Sequence, residues 1–129
     1  MKNSLCKEER LYKKPLIDQL FASGEKIKVT EFPFLLMAME SPDENQSFPA
    51  QVLFSVSKRK VRLAVNRNLV KRRSKEAYRL HKHSFYNELQ NQQKKLLVSF
   101  IYLGNKPLPY QLIEEKIIVL LNRLTEKTS

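Results

Sequence analysis

A single α/β domain is predicted by three features of the 129-residue chain. Stretches of alternating apolar and polar residues, read as strands, are interleaved with stretches of helical period. The 42% hydrophobic content suffices for one core at this length. No repeat, low-complexity tract or interdomain linker divides the sequence. The expected order is helix, two or three strands, a basic helix, strand, helix, within one domain spanning residues 1–129.

Residues 1–12 lack periodicity and are expected to form an extended, mobile arm. A first helix follows over 13–23: Pro15 suits its first turn, and Leu16, Ile17, Leu20 and Phe21 share an apolar face. Gly24 stands where a left-handed C-terminal cap is wanted. Ile27, Val29 and residues 32–39 read as one or two strands interrupted at Pro33, which has no N–H to give a ladder. Residues 41–47 are turn-rich. Residues 50–57 return as a strand with Val52, Phe54 and Val56 on one face and Leu53, Ser55 and Ser57 on the other. Beyond a basic connection, the pattern is helical from 64 to 83, with Val70, Ala77 and Leu80 on an apolar stripe. Residues 84–94 either extend this helix or form a loop. Residues 96–103 carry apolar side chains on both faces, which marks an interior strand. After a break at 104–109, Leu112, Ile113, Lys116, Ile117, Leu120, Leu121 and Leu124 define a terminal amphipathic helix.

Twenty-four Lys and Arg against 13 Asp and Glu leave a net charge of +11, a field that attracts polyanions. Its placement is informative. Between Lys58 and His83, eleven Lys and Arg stand against one acid, Glu76, so a fifth of the chain carries +10. A mean hydropathy of −0.47 and the lack of any apolar run near the ~20 residues of a bilayer span argue against a membrane protein. The N-terminus becomes charged before an apolar signal region builds up, so the cytoplasm is the expected compartment. Cys6, the single cysteine, excludes an internal disulfide and a cysteine-cluster zinc site.

The basic segment needs an explanation beyond solubility. Arg67, Lys71, Lys75 and Arg79 follow one another at i+4 steps, and each like-charged pair costs a few tenths of a kcal/mol in an exposed helix. Phosphates would offset that repulsion: Arg holds them bidentately, Lys as a point charge, and Asn68 adds a donor and an acceptor. A merely solvated helix face is the bland alternative, and the confinement of the charge to one segment counts against it. A basic leucine zipper is excluded because no heptad of leucines follows Leu80. Nor is there a protein nuclease signature. The acids are scattered, and His81 and His83, two residues apart, face different directions on a helix, as surface side chains would.

These residues resemble the protein subunit of bacterial ribonuclease P. The similarity begins at Arg10-Leu11 with Lys13 and Lys14, runs through Phe21 and Gly24, and takes in Phe54-Ser55-Val56-Ser57-Lys58. It centres on Ala64-Val65-Asn66-Arg67-Asn68 with Lys71-Arg72 and Lys75-Glu76-Ala77. Leu69 stands where the family carries a second arginine, Lys75 where arginine is usual, Arg62 where the loop usually has glycine, and Ile17 where an aromatic is common.

The resemblance implies an α+β sandwich of the ribosomal S5 domain 2-like type, in the order α-β-β-β-α-β-α. A left-handed strand-helix-strand crossover would surround the basic helix, against the general right-handed rule. It further implies a subunit of a ribonucleoprotein endoribonuclease whose catalytic site lies in RNA. That RNA removes the 5′ leader from precursor tRNA with Mg2+ held mainly by RNA phosphates, and the protein alone is inactive. Partners would be ribonuclease P RNA and precursor tRNA, with neither DNA nor membrane involved. The RNA-binding residues would be Lys58, Arg59, Lys60, Arg62, Arg67, Asn68, Lys71, Arg72, Lys75 and Arg79. Phe21, Phe32, Phe34, Met37, Ser55 and Ser57 would line a cleft in which leader bases stack on aromatic rings. No catalytic residue and no metal ligand is expected in the protein. The alternative is a non-enzymatic RNA-binding module, such as a ribosome-associated protein.

Overall fold

The computed structural model describes residues 5–22 and 24–129. A single 3-10 turn, Lys7–Glu9, precedes α1 (Lys14–Phe21), β1 (Ile27–Glu31), β2 (Phe34–Glu40), β3 (Ala50–Val56), α2 (Ala64–Asn91), β4 (Leu96–Tyr102) and α3 (Tyr110–Thr128). The strands form one four-stranded sheet in the order β1-β2-β4-β3. Strands β1 and β2 make an antiparallel hairpin whose turn is the cis Phe32–Pro33 pair, and β4 runs antiparallel to β2. Strand β3 is parallel to β4, which requires a crossover, and α2 supplies it. Flanked on both sides, β4 is the interior strand that its apolar composition indicates.

Strand parity divides the molecule. On one face Leu36, Ala38, Val52, Phe54, Val98 and Phe100 meet Val70, Ala77, Tyr78, Phe85 and Leu89 of α2, together with Ile113, Ile117, Leu120 and Leu124 of α3. Phe54 stacks on Phe100 at 5.3 Å between ring centroids, and Tyr78 meets both rings edge-on. The other face packs Leu97, with Met37, Met39 and Leu53, against Leu16, Ile17 and Leu20 of α1 and against Leu11.

Three expectations change. The apolar stripe of α2 includes Val70 and Ala77 but not Leu80, which is 40% exposed. At about 100° per residue the buried arc lies between Val70 and Tyr78, and Leu80 falls on the opposite flank. The stripe also continues through Phe85, Tyr86 and Leu89, so residues 84–91 extend the helix. It closes in a Schellman turn, with the Lys94 N–H donating to Leu89 O (3.0 Å), the Gln93 N–H to Gln90 O (3.0 Å), and Gln93 at φ 58. Helix α1 ends at Phe21 with Ala22 as its extended C-cap, so Gly24, at φ 129, is not the cap itself. Ser23 and residues 1–4 lie outside the described residues.

The third change concerns the arm, which is extended but docked over residues 5–12. Arg10 bridges to Val52 on the outer edge of β3, and the Leu11 N–H donates to Val52 O (2.9 Å). Leu11 is buried, and so is Glu9, at 1% exposure. Lys82 Nζ (2.7 Å) and the Tyr86 hydroxyl (2.6 Å) both donate to Glu9 Oε2, while the Cys6 N–H donates to Oε1 (2.9 Å). The Tyr78 hydroxyl in turn donates to Tyr86 (3.1 Å). Burial alone would raise the pKa of the Glu9 carboxyl, but these donors hold it below its ordinary 4.5. Stability from this group is therefore complete above about pH 4.5 and is lost as pH falls through the lower folded value.

Lys82→Met, which strands a buried carboxylate, is expected to cost about 3–5 kcal/mol in urea melts at pH 7. The double variant Glu9→Gln, Lys82→Met should regain most of that loss, because no charge is left buried and the amide oxygen still accepts from Tyr86, and should lose less stability than wild type below pH 4.5. A double variant as unstable as the single one would contradict this account of the pair.

Candidate nucleic-acid interface

The basic loop between β3 and α2 is built around Ser57. Its Oγ accepts the N–H groups of Arg59 (3.1 Å) and Lys60 (3.4 Å), and the Val61 N–H donates to its carbonyl (3.0 Å). These bonds curl the chain into a tight turn that Val61 anchors in the core, leaving Lys58, Arg59, Lys60 and Arg62 exposed. Arg67 Nη1 donates to Val61 O (2.9 Å) and Arg62 O (2.7 Å), fastening the loop to the first turn of α2. No acidic residue occupies that turn, so the positive end of the helix dipole adds to the cationic field.

One turn further on, Asn68, Lys71, Arg72 and Lys75 border a concavity of about 430 Å³, and Arg10 closes it from the docked arm. Glu76 is the acid on this wall, and it is engaged by Arg79 in an ion pair. The i+4 row of the sequence is thus not uniform. Arg67 holds the loop, Lys71 and Lys75 face the concavity, and Arg79 is paired. Two further cations of the segment serve the fold: Arg73 Nη1 donates to Leu108 O (2.5 Å), and Lys82 points inward to Glu9. His81 bridges α2 to α3 through Glu114 (3.0 Å).

The candidate cleft residues separate into two groups. Phe21 is 43% exposed at the end of α1, Met37 is half-buried beside the α1 cluster, and Ser55 lies half-buried on the same sheet face. Helix α1 covers the Leu97 end of that face and leaves the half-buried row Leu35–Ile101–Ser55 uncovered. Phe32, 61% exposed, projects at the hairpin turn. Phe34 is a correction: its parity puts it on the opposite face, buried edge-on against Phe100 (6.1 Å) and Tyr102 (5.5 Å), so it belongs to the core. Ser57 lies beyond the end of β3, with its hydroxyl engaged in the basic loop.

Several residues of these surfaces escape a reading based on periodicity. Lys82 stands at i+4 from Tyr78 and i−4 from Tyr86, a cation on a buried row, which signals a hidden acid. Nothing local identifies that acid as Glu9, 73 positions away. Arg10 belongs to a segment without period. Ser99, in the middle of the α1-side face, is fully buried, and its Oγ has no hydrogen-bond partner among the described residues.

A mixed sheet backed by two helices, with a cationic concavity on its crossover helix, defines a polyanion-binding α/β domain. The family model for ribonuclease P matches residues 5–125. The ribonuclease P protein component of Chlorobium phaeobacteroides is 35% identical over 135 residues, covering 98% of this chain and 92% of that one. Its counterpart in Porphyromonas gingivalis is 34% identical over 110 residues, covering 85% and 78%. The solved structure of the Staphylococcus aureus RNase P protein superposes with a TM-score of 0.69 at 18% identity, covering 90% of this chain and 94% of that one. The chain belongs to the ribonuclease P protein family, whose members are subunits of a ribonucleoprotein endoribonuclease of tRNA processing. That membership implies ribonuclease P RNA as its partner and gives no support to the ribosome-associated alternative.

The geometry separates the cations by experiment. Lys71→Ala should leave thermal stability near wild type and lower the log-log salt slope of RNA binding by about 1, whereas Arg67→Ala, by freeing two loop carbonyls, should also destabilise the fold by roughly 1–3 kcal/mol. A Lys71 variant with an unchanged slope would reassign the concavity to a solvated face.

Proposed function

We propose that this chain binds the ribonuclease P RNA through the 57–63 loop and the exposed face of α2, and holds the 5′ leader of precursor tRNA over the α1 side of the sheet. The carrying observation is the concavity edged by Arg10, Asn68, Lys71, Arg72 and Lys75, whose acidic neighbour Glu76 is already paired with Arg79. Cations held close together without carboxylates are costly until an external anion joins them. A phosphodiester backbone supplies such anions in series. Lys58, Arg59, Lys60 and Arg62 extend the same field along the loop.

For the leader, exposed Phe21 and Phe32 supply ring faces, and Met37, Ser55 and the uncovered Leu35–Ile101 row supply a floor. Stacking on such rings is tolerant of sequence, as a protein that meets many leaders requires.

Cleavage itself belongs to the RNA in this reading. Among the described residues no three His, Cys, Asp or Glu side chains gather as a metal site would need. Mg2+ is assigned in this reading to RNA phosphates. Among the described residues no helix is long and apolar enough to cross a membrane, and the cytoplasm, where tRNA precursors are made, is the proposed compartment.

Purified protein is expected to leave precursor tRNA intact, while protein added to a bacterial ribonuclease P RNA should lower the Mg2+ needed for leader removal. Cleavage by RNA-free protein would overturn the assignment of catalysis. Phe21→Ala should weaken binding of leader-bearing precursor by about 1–3 kcal/mol and of mature tRNA by less, measured with the reconstituted complex. Equal losses for both substrates would place Phe21 outside leader binding.

A further inference from the structure

We propose that the amino-terminal segment 5–11 is a second element of the RNA-binding surface, in which Arg10 contacts a backbone phosphate and buried Glu9 positions it. The inference rests on the reading of α2 as the RNA-binding helix. In extended chain, neighbouring side chains point to opposite sides. Glu9 and Leu11 are both buried, so Arg10 between them is turned outward, and it is exposed at the concavity that Asn68, Lys71, Arg72 and Lys75 border. Its guanidinium donates to the neutral Leu5 carbonyl (3.2 Å) and, among the described residues, pairs with no carboxylate. A cation carried some sixty residues away in sequence is thereby added to the helix's own.

The Glu9–Lys82 pair explains why this arrangement is held. A buried ion pair is a weak source of stability compared with apolar residues of similar volume, and its best-attested use is to fix register. Slipping the arm by one residue along β3 would exchange its faces, carrying Arg10 inward to Lys82 and Glu9 outward to the cationic concavity. Lys82 Nζ at 2.7 Å and the Tyr86 hydroxyl at 2.6 Å accept only the register in which the acid is inside. Register of the arm and placement of Arg10 are therefore one property. Removing the lysine alone leaves a buried carboxylate that regains water by undocking the arm, and Arg10 leaves with it.

The test measures binding of the full chain to a bacterial ribonuclease P RNA across a salt series, with folding checked by circular dichroism. Arg10→Gln should lower the log-log slope by about 1 and weaken binding roughly fivefold at 0.15 M salt, with thermal stability unchanged. Lys82→Met, at a temperature where it is folded, should lose the same slope, and adding Arg10→Gln to it should change nothing more. Glu9→Gln combined with Lys82→Met should restore the wild-type slope, which a loss of general stability in the single variant does not predict for affinity measured on folded protein. A wild-type slope for Arg10→Gln alongside a lowered slope for Lys71→Ala overturns this inference and leaves the helix reading standing. Wild-type slopes for both overturn the two together. A folded Lys82→Met protein with the wild-type slope overturns the positioning role of Glu9.

Discussion

Helix α2 has one admissible rotation about its own axis, because Val70, Ala77, Tyr78, Phe85 and Leu89 must all reach the sheet. Burying those side chains contributes several kcal/mol, far more than the few tenths by which its like-charged neighbours repel one another. Packing therefore decides where the cations point, and the charge pattern follows from the core. With the apolar arc inward, Asn68, Lys71, Arg72 and Lys75 come to one concavity, Arg73 reaches Leu108, and Lys82 is carried inside. Carrying a lysine inside is tolerable only with an acid beside it, and the chain brings Glu9 back across β3 to meet it. The helix, the loop that Arg67 fastens and the docked arm thus form one rigid cationic wall.

Sheet parity assigns the second surface. Strand β4 is apolar on both faces because one face meets α2 and α3 and the other meets α1. Helix α1, with eight residues, is too short to cover the whole of its face. Leu35, Ile101 and Ser55 remain on that face as a half-buried strip. The basic wall and this strip lie on different sides of β3, so the two contacts proposed above, to a folded RNA and to a single-stranded segment, would not compete.

Much of this was legible in the sequence for identifiable reasons. Two periods, 3.6 and 2, set the element order, the interior place of β4 and the apolar face of α3, because burial imposes those periods directly. The local density of charge singled out α2 as the helix proposed to face RNA, and the fold gathers Lys71, Arg72 and Lys75 of that helix at one concavity. Parity also contained the answer for Phe34, which stands on the same side as Leu36 and Ala38; its aromatic character alone pointed the other way. What could not be read were contacts between distant segments. The docking of residues 5–12 depends on Glu9 meeting Lys82 and Tyr86, and the division of labour among Arg67, Arg73 and Arg79 depends on which carbonyl or carboxylate lies within reach. Charge counts treat those arginines alike, whereas the fold uses them differently.

The most direct measurement is lysine-reactivity footprinting of the chain, first with ribonuclease P RNA and then with leader-bearing precursor tRNA added. The account predicts that Lys58, Lys60, Lys71 and Lys75 lose reactivity on binding the RNA subunit, while Lys127, at the far end of α3, keeps it. Lys28, exposed on β1 opposite Met37, should become protected only when the precursor joins. Lys71 and Lys75 remaining as reactive as Lys127 in the complex, or Lys28 being protected by the RNA subunit alone, would contradict the two-surface account.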